Sequence, residues 1–143
     1  MNPTIRNIIA IVIGLAVGMS LNMGLIMSGH ALYPIDGLNM DDPNVMEVMA
    51  EIMPTMGPKY FVFPFLAHAL GTLFGAIVAA VVATNNKMRY ALIIGSFFLV
   101  GGVMMSYQLH WKPISFVLLD IVLAYIPMAW IGGKIAMKME KKG

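Results

Sequence analysis

Long uncharged, mostly apolar runs alternate with short polar breaks along this chain, and the runs have the length of one kind of element. A helix rises about 1.5 Å per residue, so about 20 apolar residues cross the roughly 30 Å hydrocarbon layer of a bilayer. Four runs approach or exceed that length: Ile5 to Ser28, Tyr60 to Ala83, Ala91 to Gln108 and Pro113 to Gly133. Between them lie a Pro, Asp and Gly-rich stretch from Pro34 to Pro58, the polar Asn85, Asn86 and Lys87, and the short His110, Trp111, Lys112 turn. Such residues end helices. The two short connections make the second, third and fourth helices antiparallel neighbours.

The first break is long enough to hold an element of its own. Pro43 follows Asp41 and Asp42, and Val45, Met46, Val48, Met49, Ile52 and Met53 then recur at helical spacing until Pro54 and Gly57. This pattern predicts a short amphipathic helix over 43–54 that lies on a surface. The expected fold is therefore all-α: a single domain over residues 1–143, a polytopic membrane four-helix bundle with an amphipathic helix in its first outer loop. There is no internal repeat to suggest an inverted-repeat transporter within one chain.

Arg6 followed by Ile8 to Val17 has the charged and apolar regions of a signal peptide. The stretch from Asn7 to Ile35 holds no Asp, Glu, Lys or Arg, which is longer than a signal core and predicts a retained first helix. Composition agrees with a membrane chain: 59% of residues are hydrophobic, 11% are charged and the mean hydropathy is +0.82. A soluble domain of this size has no use for so much apolar surface. The formal net charge of +2 is too small to suggest a nucleic-acid partner. With no cysteine, disulfides, thiol catalysis and thiolate metal sites are excluded.

Where the charges fall matters more than their sum. Arg6, Lys87, Arg89, Lys134, Lys138, Lys141 and Lys142 collect on one side of the four runs, and Lys59 and Lys112 alone fall on the other. Cytoplasmic flanks are enriched in Lys and Arg, so both termini are expected in the cytoplasm, and the imbalance argues against dual topology. Tyr60, Tyr107, Trp111 and Trp130 sit near helix ends, where amphipathic rings prefer the headgroup layer. The basic tail is expected to anchor to anionic headgroups.

Small residues mark the packing surfaces. Ala67, Gly71, Gly75, Ala79 and Ala83 recur every fourth position on the second helix, and Gly14 and Gly18 lead to Asn22 on the first. Such stripes let helix backbones approach closely in lipid, either between these helices of one chain or between chains of a homo-oligomer. Pro64 and Pro127 fall inside the second and fourth helices, where each removes a backbone hydrogen bond and commonly leaves a kink.

The candidate site comes from the residues that lipid tolerates least. Asp120 lies seven positions from the outer end of the fourth helix and His68 eight from that of the second. Both are then roughly 10 to 12 Å below the boundary, and Asn22 reaches a similar depth. A carboxylate at a helix centre costs about 2.5 to 3.5 kcal/mol to insert, so Asp120 is expected to face the bundle and take His68 as partner. Asn22 can donate to either, and Tyr125 lies deeper as an extension. Imidazole ordinarily titrates near neutral pH, which makes the set a candidate proton-relay or ligand-binding site; the bland alternative is interhelical hydrogen bonding alone. His30 and His110 are expected as solvated surface.

Methionine spacing suggests a second candidate. Met19, Met23 and Met27 recur on the first helix, Met46, Met49, Met53 and Met56 on the loop helix, and Met104 and Met105 lie at a similar level. Thioethers are soft ligands suited to Cu(I), although Met is more often a flexible filler. No phosphate loop, paired-histidine zinc motif, nucleophile elbow or lipidation signal occurs, so neither a cofactor nor catalysis is expected.

The strings GLAVGMSLNMGLIM, FPFLAHALGTLFGA and LDIVLAYIPMAWIGGK resemble a group of short bacterial membrane proteins of uncharacterised activity, and the similarity runs through most of the chain. The resemblance implies a four-helix protein of the bacterial inner membrane and supplies no substrate, cofactor or catalytic residue. Three functions stay open: binding or transport of a small solute or ion at the polar site, a non-catalytic accessory subunit of a membrane complex, and outer-face Cu(I) binding.

Overall fold

A computed structural model describes residues 1–39, 41–109 and 112–141, so the expectations placed on His110, Trp111 and Lys142 lie outside the described residues. Among the described residues every regular element is a helix. The helices are α1 (Pro3–Leu32), α2 (Val45–Ile52), α3 (Lys59–Val82), α4 (Lys87–Gln108), α5 (Ile114–Leu123) and α6 (Ile126–Glu140), with a 3-10 turn at Met53–Thr55 after α2. Four helical stretches, α1, α3, α4 and the α5–α6 pair, are long and apolar enough to cross a membrane.

Helix α1 starts where Asn2 accepts from the Thr4 N–H at 2.8 Å, with Pro3 at the first helical position. It runs beyond its expected end at Ser28 to Leu32, which draws His30 into its last turn. Helix α2 covers most of the expected amphipathic segment. Asp42 accepts from the Asn44 N–H just before it, and Pro54 converts its end to the 3-10 turn. Helix α3 carries Pro64 without interruption.

The fourth stretch departs from expectation. A continuous helix from Pro113 to Gly133 was predicted, with a kink at Pro127. The chain instead leaves helical geometry at Tyr125 (φ −113°, ψ −82°), restarts with Pro127 in the first turn of α6 and continues to Glu140. Pro127 has no N–H to donate to the carbonyl four residues back, here Leu123, and its ring would crowd that carbonyl in a continuous helix. The break is therefore seated just ahead of Pro127.

Helix α3 is the hub, packed against α1, α4 and α6. The α1–α3 contact uses both small-residue stripes within one chain. A Cβ at Gly14 would lie 2.8 Å from the Gly75 carbonyl oxygen, and one at Gly71 2.9 Å from that of Gly18. Ala76, Ala79, Ala80, Ala91, Ile94, Ala129 and Ala136 form a close-packed cluster toward the termini. A second cluster of Ala69, Ala124 and Tyr125 lies toward the first loop.

Side chains that the charge pattern marked only as topological signals close the terminal end of α3. Arg6 Nε donates to the Val82 carbonyl at 2.8 Å, and the Thr84 N–H donates to Asn7 Oδ1 at 2.9 Å. Lys87 Nζ reaches the carbonyls of Ala80, Val81 and Ala83 at 3.2, 3.3 and 3.4 Å, with Glu140 at 3.6 Å. A cation at a helix C-terminus satisfies orphan carbonyls and suits the helix dipole. Lys87→Ala is expected to lower stability by about 1 kcal/mol, read as an earlier thermal transition in detergent. Lys138→Ala, at an exposed tail position, should leave the transition where it is.

Candidate functional site

Three side chains from two stretches meet in the loop half of the bundle. Helix α3 supplies His68, the last turn of α5 supplies Asp120 and the break supplies Tyr125. His68 Nδ1 lies 2.9 and 2.8 Å from the two Asp120 carboxylate oxygens. The Tyr125 hydroxyl donates to Asp120 Oδ2 at 2.8 Å and sits 3.2 Å from His68 Nδ1. The Tyr125 ring stacks on the imidazole with centroids 5.8 Å apart.

The helix break assembles this set. Residues five apart on an unbroken helix point about 140° from one another, which would aim Tyr125 away from Asp120. Leaving helical geometry at Tyr125 swings its hydroxyl back onto the carboxylate. Room for the ring comes from Gly102 of α4, where a Cβ would collide with the Tyr125 ring and hydroxyl. Gly102 was not among the residues singled out from the sequence, and the adjacent Gly101 and Gly102 were the only signal that could have found it.

The three groups differ in what they face. The Asp120 side chain is 3% exposed and that of His68 21%, while Tyr125 is buried. His68 lines a cavity of about 290 Å³ at the loop end, and Asn22 lies with it at the deep end. With Nδ1 held by the carboxylate, the ring presents Nε2 as the nitrogen that can take a proton or accept a hydrogen bond. On the same face of α3 below His68 come Thr72, buried with its hydroxyl unpartnered among the described residues, and then Ala76 and Ala79. The polar column thus ends at the close-packed alanines.

The cavity walls are mainly apolar. Tyr33, Tyr60, Phe61, Phe63 and Phe116 supply rings, and Met49 of α2 and Met53 of the 3-10 turn line it with them. Lys112 and His30 line it as well. Burial holds Lys112 below the usual lysine value, and the Asp120 charge works in the opposite direction.

The sequence-derived residues divide accordingly. His68, Asp120 and Tyr125 come together. Asn22 shares the cavity with His68, but its side chain makes no hydrogen bond to the pair among the described residues; its Cβ lies 3.2 Å from where a Cβ at Gly71 would sit. His30, expected as solvated surface, is a half-buried cavity residue because α1 is longer than expected. The methionines do not form one group: Met19, Met23, Met27 and Met46 are exposed, while Met49 and Met53 line the cavity together with Met105. Among the described residues no cluster of three or more His, Asp or Glu suits a metal ion.

No protein-family model, curated protein or solved structure matches the chain.

Proposed function

We propose that this is a multi-pass protein of the bacterial inner membrane, one of the short membrane proteins its three strings resemble, with both termini in the cytoplasm. It binds or moves a small solute at the cavity between α1, α3 and α5, which opens to the outer face. His68, backed by Asp120 and Tyr125, holds and releases the proton linked to that step. Large apolar side chains exposed on the long helices support a lipid surround. The Lys and Arg distribution supports the orientation.

The observation that carries this reading is the position of His68. Hydrogen bonding between helices alone needs no cavity, yet this imidazole joins a buried carboxylate on one edge to a cavity of ligand size on the other. The closed alanine packing beneath supports binding from one face, with transport requiring that packing to open.

The test uses proteoliposomes with a pH-sensitive dye and a panel of small carboxylates, amines and neutral alcohols added outside. At least one class is expected to bind with proton uptake or release that His68→Gln and Asp120→Asn abolish. Identical behaviour of wild type and both variants from pH 5 to 8 would end the reading. Because the chain has no cysteine, single replacements test the orientation independently. An impermeant maleimide added outside should label Asn39→Cys and spare Asn85→Cys.

A further inference from the structure

Only Lys59 and Lys112, of the nine Lys and Arg residues, fall on the loop side, and the fold sets Lys112 in the cavity wall and Lys59 beside two of its wall residues. Lys112 is a lining residue, with Nζ 5.8 Å from the ring centroid of Phe116, itself part of the wall. Lys59 Nζ lies 5.0 Å from the Tyr60 centroid and 5.9 Å from that of Tyr33, two more wall residues. Among the described residues neither lysine has a carboxylate at ion-pairing distance. The loop acids Asp36, Asp41, Asp42, Glu47 and Glu51 do not line the cavity, and Asp120 sits behind His68 rather than in the wall.

The mouth is therefore cationic on a side of the protein that is otherwise acidic. Lysines on an outer face run against the usual topological bias, and the half-buried Lys112 ammonium, which feels the Asp120 charge without pairing with it, keeps much of its desolvation cost in a low-dielectric setting. An incoming anion removes that cost, and the positive mouth attracts it. The interior imposes a second requirement, since its ring and thioether walls accept an apolar body.

We propose that the occupant is a small organic acid, its apolar body against Phe61, Phe63 and Phe116 and its carboxylate at the mouth on Lys112, with Lys59 drawing it in. This rests on the solute-binding reading above and names its substrate class. A cavity of about 290 Å³ stands just below the roughly 300 to 1,000 Å³ typical of ligand pockets, the size of a compact aromatic or medium-chain acid rather than a phospholipid. An anionic lipid headgroup shares the head chemistry, so the test separates the two sources.

The probes are para-fluorophenylacetate, para-fluorophenethylamine and para-fluorobenzyl alcohol, followed by fluorine NMR with the full chain in zwitterionic nanodiscs near neutral pH. The acid is expected to bind saturably, at least about tenfold more tightly than the other two. Lys112→Gln should weaken the acid by a similar factor, and Lys112→Arg should restore most of it. Acid binding unchanged in Lys112→Gln, or amine or alcohol binding as tight as the acid, overturns the organic-acid assignment and leaves the binding reading standing. If none of the three binds wild type better than the cavity-filling Ile26→Trp, both fall. In nanodiscs carrying phosphatidylglycerol, unchanged acid binding supports a free acid, whereas its loss overturns the free acid in favour of a lipid headgroup.

Discussion

Gly75→Val is expected to yield no monodisperse protein in mild detergent. The first atom of the new side chain would stand 2.7 Å from the Gly14 carbonyl oxygen and 3.3 Å from the Gly18 Cα. Both are backbone, so neither can turn aside as a flexible side chain would. Relief requires α1 to move off α3, and Gly14 and Gly18 meet Gly75 and Gly71 reciprocally along that contact. Overpacking a well-filled core costs about 1 to 3 kcal/mol and occasionally more; here separation also forfeits the close backbone approach that holds helices together in lipid. Gly101→Val is the control, because a Cβ there meets nothing within 4 Å. Size-exclusion profiles and thermal scans of the two variants decide the matter, and equal behaviour would show that the α1–α3 seam is not as close as described.

An effect of similar or greater size is expected from separating His68 and Asp120, and its sign pattern distinguishes a coupled pair from loose polar contact. Asp120→Leu leaves an imidazole without its carboxylate, and His68→Leu leaves the carboxylate with the Tyr125 hydroxyl alone. Removing one member of a fully buried pair typically costs about 3 to 5 kcal/mol, an upper bound here because His68 is 21% exposed, whereas replacing both with apolar groups is often neutral. The double variant should therefore be more stable than either single one, a coupling that additive sites cannot produce. Tyr125→Phe, which keeps the ring and loses one charge-assisted bond, should cost about 1.5 to 3 kcal/mol. Thermal or denaturant unfolding in detergent gives all four values, and additive losses would deny the pair its coupling. If the double variant is stable yet silent in the proton assay, stability and the proposed activity are separated at the same residues.

Two features carried the readable part of the site. A carboxylate and an imidazole in long apolar runs are conspicuous because so little else there is polar, and counting along each helix put them at one level. Asn22 stood at that level too, but depth says nothing about azimuth, and its side chain shares the cavity without joining the pair. His30 differs from expectation for a related reason: one further turn of helix converts a loop residue into a wall residue, and helix ends are weakly encoded. Gly102 carries no chemistry of its own, so its role exists only through the ring that fills the space beside it.

The number of long helices, their approximate limits, the loop helix and the small-residue stripes follow from the chain alone, because run length, helical periodicity and proline are local properties. Which stripe meets which partner, where the last stretch leaves helical geometry, and how the two loop-side lysines come beside the rings of one cavity were decided by tertiary packing. Those depend on rotation about each helix axis and on distances between residues far apart in sequence. A one-dimensional pattern records the depth of a side chain; only the packed bundle records what stands opposite it.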